Sequence, residues 1–144
     1  MNSPLITIVV PTFNRRDLIG KTLKSLQDQT FKNYEIIIVD DGSNDNTEDV
    51  VQAFLNEKVR YVRKENGERA AARNYGVKLS RGKYVNFFDS DDLALSNHLE
   101  VAAQLIGQYK EPEWFHLAYS WAYPDGTVFR ITNNFTGKTL NRLM

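Results

Sequence analysis

The chain has 144 residues, with 18 basic and 18 acidic side chains, two histidines and no cysteine. That length fits one domain around a single hydrophobic core, the balanced charge gives no global field for nucleic acid or an anionic membrane, and the missing thiols exclude disulfides, thiolate catalysis and zinc-thiolate sites. His98 and His116 alone do not suggest an imidazole-built metal centre, no stretch approaches the ~18 apolar residues of a spanning helix, and no export signal is evident, so a soluble protein facing the cytosol is expected.

Leu5-Ile6-Thr7-Ile8-Val9-Val10 is β-branched and almost wholly apolar, the pattern of a central parallel strand, and Pro11 is expected to stop it. Asn14 is a good helix N-cap ahead of Leu18, Ile19, Thr22, Leu23 and Leu26, which share one helical face. Tyr34 to Val39 repeats the buried-strand pattern and runs into Asp40-Asp41-Gly42-Ser43; the polar loop Asn44 to Asn46 then caps a second helix marked by Val50, Val51, Phe54 and Leu55. Lys58 to Val62 predicts a shorter, half-exposed strand, and the Ala-rich run from Glu68 to Leu79 a helix closed by Gly82. Tyr84-Val85-Asn86-Phe87-Phe88 predicts a strand buried on both faces, its end opening into Asp89-Ser90-Asp91-Asp92. Leu99, Ala102, Ala103 and Ile106 follow helical spacing up to Gly107 or Pro112, and Trp114 to Tyr123 with Thr127 to Thr132 flank Pro124-Asp125-Gly126 as a hairpin.

Strands alternating with helices four times call for an α/β fold: a mostly parallel sheet with right-handed crossovers and helices on both faces. Ligands of such sheets bind outside the carboxyl ends of the strands, where strand order reverses. Thr12 and Asn14, Asp40 and Asp41, and Asp89 to Asp92 each follow a strand, so these clusters should converge on one edge. Two carboxylates one residue apart can share a hard cation with substrate phosphates, or the acidic turn can cap the next helix. Gly67 and the helix N-terminus after it suit an anion, which Arg69 could clamp; alternatively Arg69 and Arg73 form a solvated helix face. Asp41 could accept a hydrogen bond from a base imide N–H, or cap the Asp-Gly-Ser turn.

Pro11-Thr12-Phe13-Asn14-Arg15, then Val39-Asp40-Asp41-Gly42-Ser43 with Asp45 and Thr47, then Gly67 with Ala72-Arg73-Asn74-Tyr75-Gly76, then Phe88-Asp89-Ser90-Asp91-Asp92 resemble the ordered motifs of family 2 glycosyltransferases, the inverting enzymes of the GT-A fold. The resemblance covers Leu5 to Asp92 and implies a GT-A, Rossmann-like sheet, truncated before the acceptor-binding half. It implies that Pro11, Thr12 and Asn14 line base and ribose, that Asp40 and Asp41 lie at the base with Asp41 pairing a uracil-type edge, and that Arg69 faces the diphosphate. Asp89, Ser90 and Asp91 form the DxD element, Asp91 the closer ligand of Mn2+ or Mg2+ and Asp89 near the ribose or sugar. The implied reaction moves a sugar from a nucleotide-diphosphate donor to an acceptor hydroxyl, on a saccharide, lipid-linked or protein acceptor that the sequence does not name, with peripheral membrane association left open. The family's base lies well beyond the DxD strand, so residues 1–144 are expected to be the donor-binding part of a longer enzyme.

Rival readings are weaker on spacing. Ile36 to Asp41 also resembles the acidic pair of a response-regulator receiver, with Asp89 as phosphoacceptor, but a strand-helix unit precedes the pair and Lys110 follows a helix. Gly76 to Lys83 has the wrong spacing for a P-loop, and no Gly-x-Gly-x-x-Gly occurs. A non-catalytic nucleotide-sugar binding module stays open. His98 and His116 read as structural, Trp114, Phe115, Tyr119, Trp121 and Tyr123 as core in preference to an acceptor groove, and the sequon Asn134-Phe135-Thr136 as chance.

Overall fold

The computed structural model describes residues 3–123, 127–130 and 135–137. By packing, the chain divides into two compact units, Met1–Ser96 and Asn97–Met144.

The first unit runs β1 (Ile6–Thr12), α1 (Arg16–Gln27), β2 (Tyr34–Asp40), α2 (Thr47–Gln52), β3 (Val59–Arg63), α3 (Glu68–Leu79) and β4 (Tyr84–Phe87). The four strands form one parallel sheet in the order β3-β2-β1-β4. All seven residues of β1 and of β2 are buried, as the unbroken apolar runs require of strands covered on both faces. The chain steps from β1 to β2 to β3 and then returns past β1 to β4, so right-handed crossovers put α1 and α2 on one face and α3 on the other. Helix α3 lies close against β1 and β2 because Gly76 has no side chain; a Cβ there would come within 2.3 Å of Val9 Cγ1.

Several local expectations are corrected. The acidic strand β4 is an edge strand among the described residues; Tyr84, Val85 and Asn86 are only partly buried and Phe87 is 47% exposed. Its apolar run looks like a central strand, but among the described residues it pairs with β1 alone. Pro11 does not end β1, which continues through it and pairs Pro11 with Val39 and Thr12 with Asp40. Asn14 is not a helix cap: α1 starts after Arg15 with no side-chain cap bond, and Asn14 takes a left-handed conformation (φ 51°). Helix α2 ends at Gln52, leaving Phe54 and Leu55 beyond it, because Phe54 N–H turns back to the Val51 carbonyl. Gly82 does not terminate α3, whose last turn closes at an extended Ser80. Instead Gly82 crosses the start of β1, its amide donating to Thr7 Oγ1 at 2.8 Å where a Cβ would lie 2.5 Å from the Thr7 nitrogen.

The second unit contains α4 (His98–Gln108), which buries Leu99, Ala102 and Ile106, and two antiparallel ribbons. One pairs β5 (Trp114–His116) with β8 (Phe135–Gly137); the other pairs β6 (Ser120–Ala122) with β7 (Val128–Arg130), antiparallel as expected of the hairpin. The turn residues Pro124, Asp125 and Gly126 and the sequon residue Asn134 lie outside the described residues. Core packing of the aromatics does not hold for Trp114, Tyr119 and Tyr123, which are 40%, 55% and 57% exposed; two-stranded ribbons of three residues cover little apolar surface.

Candidate functional site

Strand order reverses between β1 and β4, and the polar crevice opens there. The Val9 carbonyl accepts from Phe88 N–H on the β4 side, at 3.0 Å, and the Thr12 carbonyl from Asp41 N–H on the β2 side, at 2.9 Å. Backbone alternation therefore turns the Pro11 nitrogen toward β4, where the next rung would need the N–H that proline lacks. Pairing with β4 stops at Val9 while β1 and β2 run on to Thr12 and Asp40, and the strands part. The cavity between them has a volume of about 370 Å³, and its walls include Pro11, Thr12, Asp41, Arg69, Asp89 and Asp91.

At one end, Asp41 is 4% exposed and still lines the cavity. Its Oδ1 accepts from Lys64 Nζ at 2.6 Å and from Gly67 N–H at 3.0 Å. Thr12 is 3% exposed, and its Oγ1 is a buried hydroxyl without a hydrogen-bond partner, in the cavity wall. A buried unpaired hydroxyl costs about 1–3 kcal/mol, a cost that a bound polar ligand would remove. Asp40, by contrast, is spent on the fold: Oδ1 accepts from Ser43 N–H at 2.7 Å and Oδ2 from the Tyr61 hydroxyl at 2.8 Å. Burial and then that hydrogen bond to the Asp40 carboxylate push the Tyr61 hydroxyl far above its ordinary pKa.

At the other end, the turn after β4 holds the acidic triplet. Arg73 donates to Asp89 Oδ1 at 2.7 Å, Arg69 Nη1 lies 3.9 Å from Asp89 Oδ2, and Arg15 Nε lies 3.6 Å from Asp91 Oδ2. Ser90 is buried, and its carbonyl accepts from Thr22 Oγ1 of α1 at 3.0 Å, which pins the turn to the helix. Partial burial and then the neighbouring Asp89 and Asp91 carboxylates raise the Asp92 pKa, a sign of concentrated negative charge. Asp89 and Asp91 supply only oxygen donors from a single turn, and among the described residues no cluster of three or more ligating side chains occurs. Such a pair fits a hard cation that draws its remaining ligands from water and a phosphate, with Asp91, 44% exposed and weakly paired, the more available carboxylate.

The structure thus brings Pro11, Thr12, Asp41, Arg69, Asp89, Ser90 and Asp91 to one cavity. It leaves Asn14 and Asp40 out of the wall. Asn14 accepts from Asn44 N–H through Oδ1 at 2.9 Å and donates its own N–H to Ser43 Oγ, also at 2.9 Å, lacing the loop after β1 to the loop after β2. Of the four cations that partner the acids, sequence reasoning singled out Arg69, weighed Arg73 only as a solvated helix face and missed Arg15 and Lys64 as partners. Arg73 stands one helical turn after Arg69 on the side of the acidic turn, a spacing that could have been used; Lys64 gave no signal, because its partner lies 23 residues away in sequence.

A doubly wound parallel sheet with a polar, mixed-charge cavity at its reversal point defines an α/β protein of the class that binds ligands at the switch point. More closely, the chain belongs to glycosyl transferase family 2, whose model matches residues 7–111. It is 35% identical over 127 residues to the putative teichuronic acid biosynthesis glycosyltransferase TuaG of Bacillus subtilis, covering 86% of this chain and 50% of TuaG. Among solved structures it is similar to S. aureus TarS 1-349 in complex with UDP-GlcNAc, at 32% identity and a TM-score of 0.70, over 73% of this chain and 32% of that one. The mannosyltransferase PcManGT of Pyrobaculum calidifontis, in complex with GDP-Man and Mn2+, matches at 26% identity and a TM-score of 0.63, over 74% of this chain and 33% of that one. The chain therefore spans half or less of the length of each of these proteins. Among the described residues no helix is long and apolar enough to cross a membrane.

Proposed function

We propose that residues 1–96 bind the donor of an inverting, metal-assisted glycosyltransferase, a nucleotide-diphosphate sugar with uridine as its nucleoside. The observation that carries this is the convergence of Thr12, Asp41, Arg69 and Asp91, from four separate segments of the chain, on one cavity. Complexes of similar proteins with UDP-GlcNAc and with GDP-Man and Mn2+ support a nucleotide sugar and a divalent cation, and the likeness to TuaG supports a part in polysaccharide biosynthesis.

In this reading the base lies against Asp41, the free Thr12 hydroxyl meets the nucleoside, and the diphosphate crosses toward Asp91. Arg69, with a side chain 65% exposed and a single ion pair at 3.9 Å, can turn onto a phosphate oxygen at little cost. The first turn of α3, which contributes Glu68 and Arg69 to the wall, adds the positive end of its dipole. A divalent cation held by Asp91 and Asp89 would spread the charge that develops on the departing diphosphate. The bond from the acceptor oxygen to the anomeric carbon forms on the face opposite the breaking bond to phosphate, and the hydroxyl proton goes to a base that this reading puts outside residues 1–144.

Calorimetric titration of UDP with and without Mn2+ tests the assignment. We expect Mn2+-dependent binding that Asp91→Ala abolishes while the circular dichroism spectrum stays unchanged, since Asp91 is half exposed. Equal metal dependence in the variant would remove Asp91 as a ligand, and failure of the wild type to bind any nucleotide diphosphate would sink the reading.

A further inference from the structure

Similar proteins are seen with uridine and with guanosine nucleotides, so the fold by itself does not select the base. We infer that Lys64 is a positioning residue that sets base specificity: with the Gly67 amide it fills one oxygen of Asp41 and leaves a single acceptor, which suits the lone imide N–H of uracil and not the paired donors of guanine. This rests on the base lying against Asp41.

A carboxylate oxygen accepts about two hydrogen bonds. Oδ1 of Asp41 already has two, from Lys64 Nζ at 2.6 Å and Gly67 N–H at 3.0 Å, while Oδ2 has none among the described residues. A guanine presenting N1–H and its 2-amino group side by side needs both oxygens, as bidentate donors do. Its amino group would meet an oxygen that is already full and an ammonium beside it, donor against donor. Uracil presents one N–H between two carbonyls and asks only for Oδ2. Nor can guanine displace Lys64 easily, since the pair is largely buried, with side chains 21% and 6% exposed, and parting it strands a desolvated charge.

The surroundings hold this arrangement in place. The Lys64 amide donates to the Asp40 carbonyl at 2.9 Å, so the loop after β3 is bonded to the end of β2. At Gly67 a Cβ would come 2.9 Å from Lys64 Nζ, so glycine leaves the ammonium its room. Gly42 has φ 84° and would bring a Cβ within 3.2 Å of the Asn66 nitrogen, keeping the two loops close from the other side.

The test compares UDP, its 3-methyl derivative, GDP and IDP, which is guanosine diphosphate without the 2-amino group, by Mn2+-containing calorimetry on the 144-residue chain. Wild type should bind UDP most tightly and IDP at least as tightly as GDP. In Lys64→Met, Oδ1 gains a vacancy and GDP should overtake IDP by roughly tenfold, the worth of one charge-assisted hydrogen bond. Lys64→Arg should restore the wild-type order, which a merely structural lysine would not govern. If Lys64→Met does not fold, the wild-type comparison decides alone: GDP binding about tenfold tighter than IDP would overturn the inference. Equal binding of UDP and 3-methyl-UDP would instead remove the base from Asp41, and absence of binding by every nucleotide would fell the proposed function itself.

Discussion

Replacing Gly76 by alanine adds one methyl group at the tightest point between α3 and the sheet. The new Cβ would lie 2.3 Å from Val9 Cγ1, 3.0 Å from Val9 Cγ2 and 3.3 Å from Val39 Cγ2, where ordinary contact begins at 3.4 Å. Val9 cannot retreat, because its strand is paired on both sides, with Ile37 on β2 and Phe87 on β4. The helix must therefore move out by about 1 Å, at an overpacking cost of ~1–3 kcal/mol, against which alanine gains up to ~1 kcal/mol of helix propensity. With the clash against an immobile strand, the upper end applies and the net loss is about 2 kcal/mol, or roughly 4–8 °C in Tm for a chain of this size. Gly20→Ala is the control, since it lies in α1 of the same unit and the atoms nearest its Cβ would be those of Val50 and Phe54, at 3.4 and 3.8 Å; there the propensity gain should stand and Tm should rise by a few degrees. Because α3 also carries Arg69 and Arg73, outward movement should loosen the 2.7 Å pair from Arg73 to Asp89 and weaken nucleotide binding along with stability. Thermal melts of both variants, with UDP titrations, read the outcome. If Gly76→Ala melted as high as Gly20→Ala, the close approach of α3 would be refuted.

Thr12→Val removes the buried hydroxyl that has no partner, so it should raise stability by about 1 kcal/mol in urea melts while lowering UDP affinity several-fold; a loss of stability with unchanged affinity would show that the hydroxyl serves the fold. Glu35, 2% exposed, accepts from Thr7, Arg60 and Arg81, and although burial acts to raise its pKa, the Arg81 and Thr7 hydrogen bonds and the Arg60 charge hold it below the usual range. A lowered folded-state pKa gives stability that is present above the unfolded value, about 4.3, and is lost as pH falls through the folded value. Glu35→Gln should therefore cost about 3 kcal/mol at pH 7 and progressively less in acid; a gap independent of pH between 7 and 3 would contradict the ion pairs.

The core strands were legible because burial on both faces leaves a mark in one short stretch: Ile6 to Val10 and Ile36 to Val39 have no polar alternation apart from Thr7. The edge position of β4 left no such mark, since whether a strand has one neighbour or two depends on the chain order of the sheet and not on Tyr84 to Phe87 themselves. Pro11 was misread for a related reason. A missing N–H ends a ladder on one side only, and which side is empty is a tertiary fact. The acids of the site were legible as runs at strand ends, whereas Lys64, Arg73 and Arg15 were not, because an ion pair is a property of two distant segments and each cation alone looks like solvated surface. Asn14 and Asp40 carry the right residue types for ligand contact, but their hydrogen-bonding capacity is taken up by Ser43, Asn44 and Tyr61.

That division of labour has a consequence for how the cavity takes its ligand. Around Asp41 the loops are bonded to each other before anything binds: Arg15 N–H to Thr47 Oγ1 at 3.0 Å, Arg16 N–H to Asp45 Oδ2 at 3.1 Å, and the Asn14, Ser43 and Gly67 contacts beside them. Asp45 is held ionised by these bonds, since burial raises its pKa but the Thr47 and Arg16 donors lower it further than burial lifts it. The ordering cost of this end is met during folding, which sharpens selection because a rigid acceptor cannot adjust to a wrong base. The acidic end is built differently: beside the 2.7 Å bond from Arg73 to Asp89, its pairs lie at 3.6 and 3.9 Å between side chains that are 37% to 65% exposed. Pairs that exposed contribute little to stability and exchange partners readily. The carboxylates can pass from arginine to a cation, and the arginines from carboxylate to phosphate, with little net change in charge contacts. On the proposed function, the deeply buried pair at Asp41 makes the base end rigid, and the exposed pairs at Asp89 and Asp91 leave the diphosphate end pliant.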